Sequence, residues 1–169
     1  VNEFDELNLT RAIIDRNIVP MWTQFRLAVQ DHVDSYNRLK EGRQCPARIL
    51  EDRDEGTSMV IQQDLGMTRD DGHIQIVVLK IFFWRGSYQI KAEIERWLKI
   101  DGQPKRDGEA ITVIFTLKGS RATTIGFAAS ADNVWFESDA CEGEKLSAWQ
   151  AARNIVVRTL CHGEQEPRI

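Results

Sequence analysis

HIQIVVLKIFFWRGSYQIKAEIERWL, residues 73–98, carries the densest strand chemistry in the chain. Residues 73–85 are rich in β-branched and aromatic side chains, Gly86 and Ser87 supply a turn, and residues 88–98 resume an alternation. The stretch therefore reads as a β-hairpin closed by a tight two-residue turn. In such a hairpin Arg85 opposes Tyr88, and counting back from that pair sets Lys80 against Glu93. Side chains alternate between the two faces of a sheet. Val77, Leu79, Ile81 and Phe83 then share a face with Ile90, Ala92, Ile94 and Arg96, which marks it as the core side. The opposite face carries Ile76, Val78, Lys80, Phe82 and Trp84, across from Trp97, Glu95, Glu93, Lys91 and Gln89.

Lys80 interrupts the longest apolar run, and an unpaired ammonium in a core is too costly to keep its charge. The hairpin count resolves this by placing it on the wet face beside a carboxylate, where a cross-strand pair contributes roughly 0.2–1 kcal/mol. Its larger effect is on register, since a slip of one residue would bury Lys80 and expose Leu79 and Ile81. A catalytic amine needs desolvation and usually a cationic neighbour, whereas Glu93 favours the charged form. The notable feature is the company Lys80 keeps. Phe82, Trp84 and Trp97 around Lys80, Glu93 and Glu95 make an apolar patch with polar interruptions, the composition of a partner surface.

Outward from this hairpin, residues 1–41 read as a helical segment with a joint at Pro20, because a residue before proline disfavours helix. Trp22, Phe25, Val29, His32, Tyr36 and Leu39 form a narrow apolar stripe at spacings of three and four, which must bury against something, and with fewer than three full heptads the chain's own sheet is favoured over a coiled-coil dimer. His32 within it is expected to be a hydrogen-bonded core histidine, and Gly42 is a natural helix stop. Residues 47–138 read as an antiparallel sheet. Within them, 47–53 and 57–64 form a first hairpin, 101–109 a polar loop, 110–118 a strand, Gly119-Ser120 a second hairpin turn before 121–130, and 134–138 a last strand. Residues 144–162 read as a C-terminal helix with Leu146, Trp149, Ala152, Val156 and Leu160 on its apolar face. If that helix crosses the outer face, Leu146 and Trp149 cover Trp84 and Trp97; if not, the patch is open. The whole is expected to be one α+β domain over residues 1–169, with helices against a curved antiparallel sheet of five to seven strands.

The chain has 169 residues, 42% hydrophobic and 28% charged, with a formal charge of −4. That is ordinary for a globular chain able to bury a core without disulfide or metal. The mild acidity, with Lys99, Lys105, Arg106, Lys118 and Arg121 offset by Asp101, Asp107 and Glu109, disfavours a nucleic-acid partner. Cys45, Cys141 and Cys161 are odd in number and widely spaced, which favours a reducing compartment, with the cytoplasm as the default expectation. No apolar run approaches a membrane span, and the opening residues lack the layout of a signal peptide. The start at Val1 rather than Met is the pattern expected if an upstream segment has been removed.

No spacing specifies a metal or cofactor. Asp70, Asp71 and His73 read as turn chemistry, and Cys161-His162 lacks a second ligand pair. Cys141 with His73 or His162 would give a thiol–imidazole pair, but no nucleophile-elbow motif accompanies it. No glycine pattern marks a phosphate loop. Two functional expectations follow. The first is a non-catalytic binding or assembly module that uses Lys80, Phe82, Trp84, Glu93, Glu95 and Trp97 to meet a protein partner or a second copy of itself. The alternative is a small-ligand-binding or enzymatic domain with a pocket between sheet and helix, lined by the small side of 123–130, with Thr124, Gly126, Ala128 and Ser130.

Overall fold

In the computed structural model, which describes residues 3–51, 56–67, 72–121 and 132–160, the hairpin of β3 (Ile74–Trp84) and β4 (Gln89–Ile100) lies at the centre of the sheet. Its register is the one the sequence predicts, with Lys80 opposite Glu93 and Trp84 opposite Gln89. The turn is longer than predicted. Arg85–Ser87 form a single 3₁₀ turn, Tyr88 N–H donates to the Arg85 carbonyl at 3.1 Å, and Tyr88 takes a left-handed backbone with φ 55°. Four residues rather than two connect the strands, and because the extra two are symmetric about the turn, the pairing sum is unchanged.

The other strands are β1 (Ala47–Glu51), β2 (Ser58–Met67), β5 (Gln103–Arg106), β6 (Ile111–Arg121), β7 (Asp132–Ser138) and β8 (Cys141–Leu146). They form one antiparallel sheet in the order β1-β2-β3-β4-β6-β7-β8, with β5 paired to the far end of β4. Among the described residues there are eight strands against the predicted five to seven: two short ones hide in polar sequence, and the predicted strand 121–130 falls, from residue 122 on, outside the described residues. Strand β5 comes from the segment read as a loop, and its pairs Leu98–Lys105 and Ile100–Gln103 extend the edge that β6 leaves free. Strand β8 takes Glu144–Leu146 from what reads as the start of the C-terminal helix. Gly119 and Ser120 are not a turn. They lie inside β6 and pair with Val134 and Asn133. The glycine there answers to packing: a Cβ would meet Ile13 Cγ2 at 3.1 Å, Ile14 Cγ1 at 3.3 Å and Val134 Cγ1 at 3.4 Å, so its absence lets a helix approach the strand.

That helix, α1 (Glu3–Arg38), runs unbroken through Pro20 for 36 residues, about 54 Å. Proline removes one intrahelical bond and crowds the preceding turn. Burial of Ile18 and Trp22 on either side of the exposed Pro20 holds both halves to the sheet, and the predicted joint does not form. The buried face is Ile13, Ile18, Met21, Trp22, Phe25, Ala28, Val29 and Val33, a wider stripe than the one read from sequence. Leu39 lies outside it and is exposed, because the helix ends at Arg38. A short helix α2 (Lys40–Gln44) follows, with Gly42 inside it rather than at a stop. A Cβ at Gly42 would collide with the Tyr36 carbonyl, so glycine permits this sharp return.

Phe25 packs on Phe115 and Phe136 at centroid distances of 5.7 and 6.3 Å, and Trp22 stacks on Phe83 at 5.0 Å. The Trp22 indole N–H is satisfied by the Gly56 carbonyl at 2.7 Å. Helix α3 (Ala148–Leu160) completes the layer beside α1. Its start is a capping box: Gln150 N–H donates to Ser147 Oγ at 3.1 Å and Ser147 N–H to Gln150 Oε1 at 2.9 Å. Ala151, Ala152, Ile155, Val156 and Leu160 join the same core as Leu79, Ile81, Ile90 and Phe115. Trp149 is not part of this core. It is 53% exposed, and His32 packs against its ring at 4.5 Å with Nε2 3.2 Å from the Trp149 carbonyl oxygen. His32 is thus hydrogen-bonded as expected, but at the half-buried seam between the helices rather than in the core. No described helix is long and apolar enough to cross a membrane.

Candidate functional site on the outer sheet face

Both long helices pack on the side of Leu79 and Ile81, so among the described residues no helix covers the opposite side. The alternative in which Leu146 and Trp149 cover Trp84 and Trp97 is therefore not the one adopted: Leu146 ends β8 in the core cluster, and Trp149 points away from it. The outer face keeps the predicted alternation except toward the start of β3, where Ile76 is buried. Trp84 is 43% exposed, while Phe82, Trp97, Val78 and Lys80 are half-buried.

The charges are arranged differently from the sequence count. Lys80 faces Glu93 in register, but its Nζ lies 2.6 Å from Oε1 of Glu95, one diagonal step away. Glu93 pairs instead with Lys91 of its own strand at 2.8 Å. The reason is β5, the strand that sequence reading leaves out. It carries Arg106 opposite Trp97, and Arg106 Nη2 donates to Glu95 Oε2 at 2.6 Å. A second cation draws Glu95 in and Lys80 joins it. The Lys80 contact is short but poorly aligned for a hydrogen bond, so it acts as charge attraction, and Arg106 supplies the directed bond. Glu95 is 1% exposed although it sits on the outer face, because the two cationic side chains lie over it. Burial would push its carboxyl upward, but Lys80 and Arg106 together outweigh that and hold it below the ordinary range.

The aromatic groups are tied into the same layer. Lys91 lies over Trp84 at 5.0 Å and Arg106 over Trp97 at 5.4 Å. Trp135 of β7, which the sequence reading does not single out, carries Lys145 of β8 at 4.2 Å. It belongs to this face by register, since its partner Lys118 is in phase with Thr116 and Ile114, which oppose Gln89 and Lys91. Each such cation–aromatic contact contributes about 0.5–1 kcal/mol at an exposed site, and each pins a long side chain flat. The result is a sheet surface of three indoles with lysine, arginine and glutamate between them, in place of a wet face with mobile charges.

A second constellation joins α1 to the sheet. Arg16 bonds Asp132 through both Nε and Nη2 at 2.5 Å, and Asn17 Nδ2 donates to the same carboxylate at 2.7 Å. Those donors hold the Asp132 carboxyl down at about 2. The geometry is that of a structural clamp on the β6–β7 hairpin. Cys141 is a half-buried free thiol at the edge strand β8. Thr124, Gly126, Ala128 and Ser130, the predicted pocket lining, lie outside the described residues, as do Asp70, Asp71, Cys161 and His162. Comparison with family models, curated proteins and solved structures returns no match to this chain.

Proposed function

We propose that the chain is a non-catalytic binding or assembly module that pairs with a second copy of itself through the outer face of its sheet. The observation that carries this reading is the segregation of the helices: with α1 and α3 together on the core side, the surface of Phe82, Trp84, Trp97 and Trp135 is covered by no described helix. Aromatic residues and arginine are the types enriched at the centres of protein interfaces. Self-pairing is favoured over an unlike partner by the charge layout. Lys91 and Glu93, and Lys80, Arg106 and Glu95, interleave both signs along adjacent strands, so a two-fold related copy meets this face with opposite charges in reach. The pinned side chains also lower the ordering cost of association.

The experiment is sedimentation equilibrium across roughly 1–300 μM, where a micromolar self-association becomes visible. The wild-type chain should shift from monomer to dimer over this range, and Trp84→Ala or Lys80→Glu should hold it monomeric with an unchanged circular dichroism spectrum. A wild-type chain that stays monomeric throughout, or variants that dimerise equally well, would refute the proposal.

A further inference from the structure

The charges on the outer face also fix how two copies are turned against each other, an inference that rests on the self-pairing proposed above. Copies that meet through the same sheet face are related by a two-fold axis lying between them, parallel to the sheets. That axis can run along the strands or across them, and the two choices bring different side chains into contact.

Among the described residues, the open part of the face spans four rungs of β3 and β4: Trp84 with Gln89, Phe82 with Lys91, Lys80 with Glu93, and Val78 with Glu95. It closes at the next rung, where Ile76 is buried and Arg106 lies over Trp97. Strand β4 is the middle strand of the order β1-β2-β3-β4-β6-β7-β8. Its Lys91 and Glu93, half-buried and 2.8 Å apart, therefore lie at the centre of the face across the strands as well as along them.

An axis along β4 would set Lys91 on the partner's Lys91 and Glu93 on the partner's Glu93, like charge on like at the centre of the contact. An axis along the strands between β3 and β4 would set Lys80 on the partner's Glu93. It would also press Trp84 on the partner's Gln89 and Val78 on the partner's Glu95, so that apolar groups meet polar ones. An axis across the strands, midway between Lys91 and Glu93, exchanges the first rung with the fourth and the second with the third. Lys91 then meets the partner's Glu93 twice over, Trp84 meets the partner's Val78, and Lys80 meets the ring of the partner's Phe82.

We infer that the two copies pair about an axis crossing the strands at the level of Ile81 and Ala92, which are opposed in β3 and β4. Lys91 and Glu93 of both copies then form a square of alternating charge at the centre. Each keeps its own internal partner and gains a second from the other copy. Such a square sets orientation more than affinity, and the Trp84–Val78 contacts on either side supply the apolar burial.

The test pairs variants with each other. Fluorescently labelled Glu93→Lys is titrated with unlabelled Lys91→Glu and, separately, with Lys80→Glu, and followed by sedimentation, with each fold checked by circular dichroism. The two titrants carry the same change in net charge, so position alone separates them. Lys91→Glu captures the labelled chain within about threefold of the wild-type affinity, whereas Lys80→Glu, and each variant with itself, pairs at least about tenfold more weakly. Equal capture by the two titrants, or a preference for Lys80→Glu, overturns the axis. A second measurement needs no substitution: carbodiimide coupling of mixed isotope-labelled and unlabelled wild-type chains gives a Lys91–Glu93 link joining one chain of each kind, and its absence overturns the axis too. A wild-type chain that stays monomeric refutes the self-pairing itself and this arrangement with it. A wild-type dimer that is lost in Trp84→Ala but forms no Lys91–Glu93 link refutes the arrangement alone.

Discussion

Glu95→Gln keeps the shape of a side chain that is almost wholly buried and removes the charge on which two cations converge. A hydrogen bond to a charged group contributes about 1.5–3 kcal/mol, and breaking a deeply buried ion pair costs about 3–5 kcal/mol. Here Lys80 and Arg106 are 37% and 49% exposed, so water screens both and the contribution falls toward that of a surface pair. Glutamine still offers Arg106 an acceptor. The expected loss is about 1–2 kcal/mol near neutral pH, read from urea unfolding followed by tryptophan fluorescence. The pH dependence gives the sharper signature. The Glu95 carboxyl lies below its ordinary value of 4.5 in the folded chain, so its contribution is fully present above that value and is lost as pH falls through the lower, folded one. The gap between wild type and Glu95→Gln should therefore close on acidification. A double-mutant cycle should give coupling of Lys80→Met with Glu95→Gln and close to none with Glu93→Gln. Equal stabilities at neutral pH, a gap that persists in acid, or coupling to Glu93 instead would each refute the diagonal pairing.

Gly119→Val should destabilise by about 2 kcal/mol through overpacking against Ile13, Ile14 and Val134. Gly86→Ala, with nothing within 4 Å of the new Cβ, should be neutral in the same denaturation assay. Ser147→Ala removes one half of the α3 capping box and should cost about 1 kcal/mol. The Asp132 carboxyl should titrate by carbon-13 NMR with a midpoint of about 2 and move back toward its ordinary 3.8 in Arg16→Ala. Because that value is depressed in the folded chain, the clamp's contribution is present above the ordinary value and disappears as pH falls through about 2. An Asp132 midpoint indifferent to Arg16 would contradict the clamp.

The central hairpin was legible because its alternation is strong and its register depends only on a symmetric turn, so the count to Lys80 and Glu93 survived the change from a two-residue to a four-residue loop. The core face of β3 and β4, the long N-terminal helix and the C-terminal helix followed from the same periodicities. What escaped was polar or small. Strand β5 reads QPKR and β8 reads CEGEKL, and neither carries an apolar alternation to distinguish it from a loop. Gly119-Ser120 resembles Gly86-Ser87 as letters, yet one pair serves helix packing and the other a turn. Missing β5 also hid the true partner of Lys80, since Arg106 reaches Glu95 only across a strand pairing that sequence did not announce. Trp135 could have been found by extending the face through β6, because Ile114, Thr116 and Lys118 alternate with the buried Val113, Phe115 and Leu117.

Hydroxyl-radical footprinting of the wild-type chain at low and high concentration tests the central claim most directly, because it reads side chains on both sides of the molecule at once. Trp149, 53% exposed on α3, serves as the internal reference. Oxidation of Trp84, Phe82 and Trp97 should fall as concentration rises while that of Trp149 stays constant. Concentration-independent labelling of the outer face, or protection that appears at Trp149 instead, would contradict the assignment of that face to self-association.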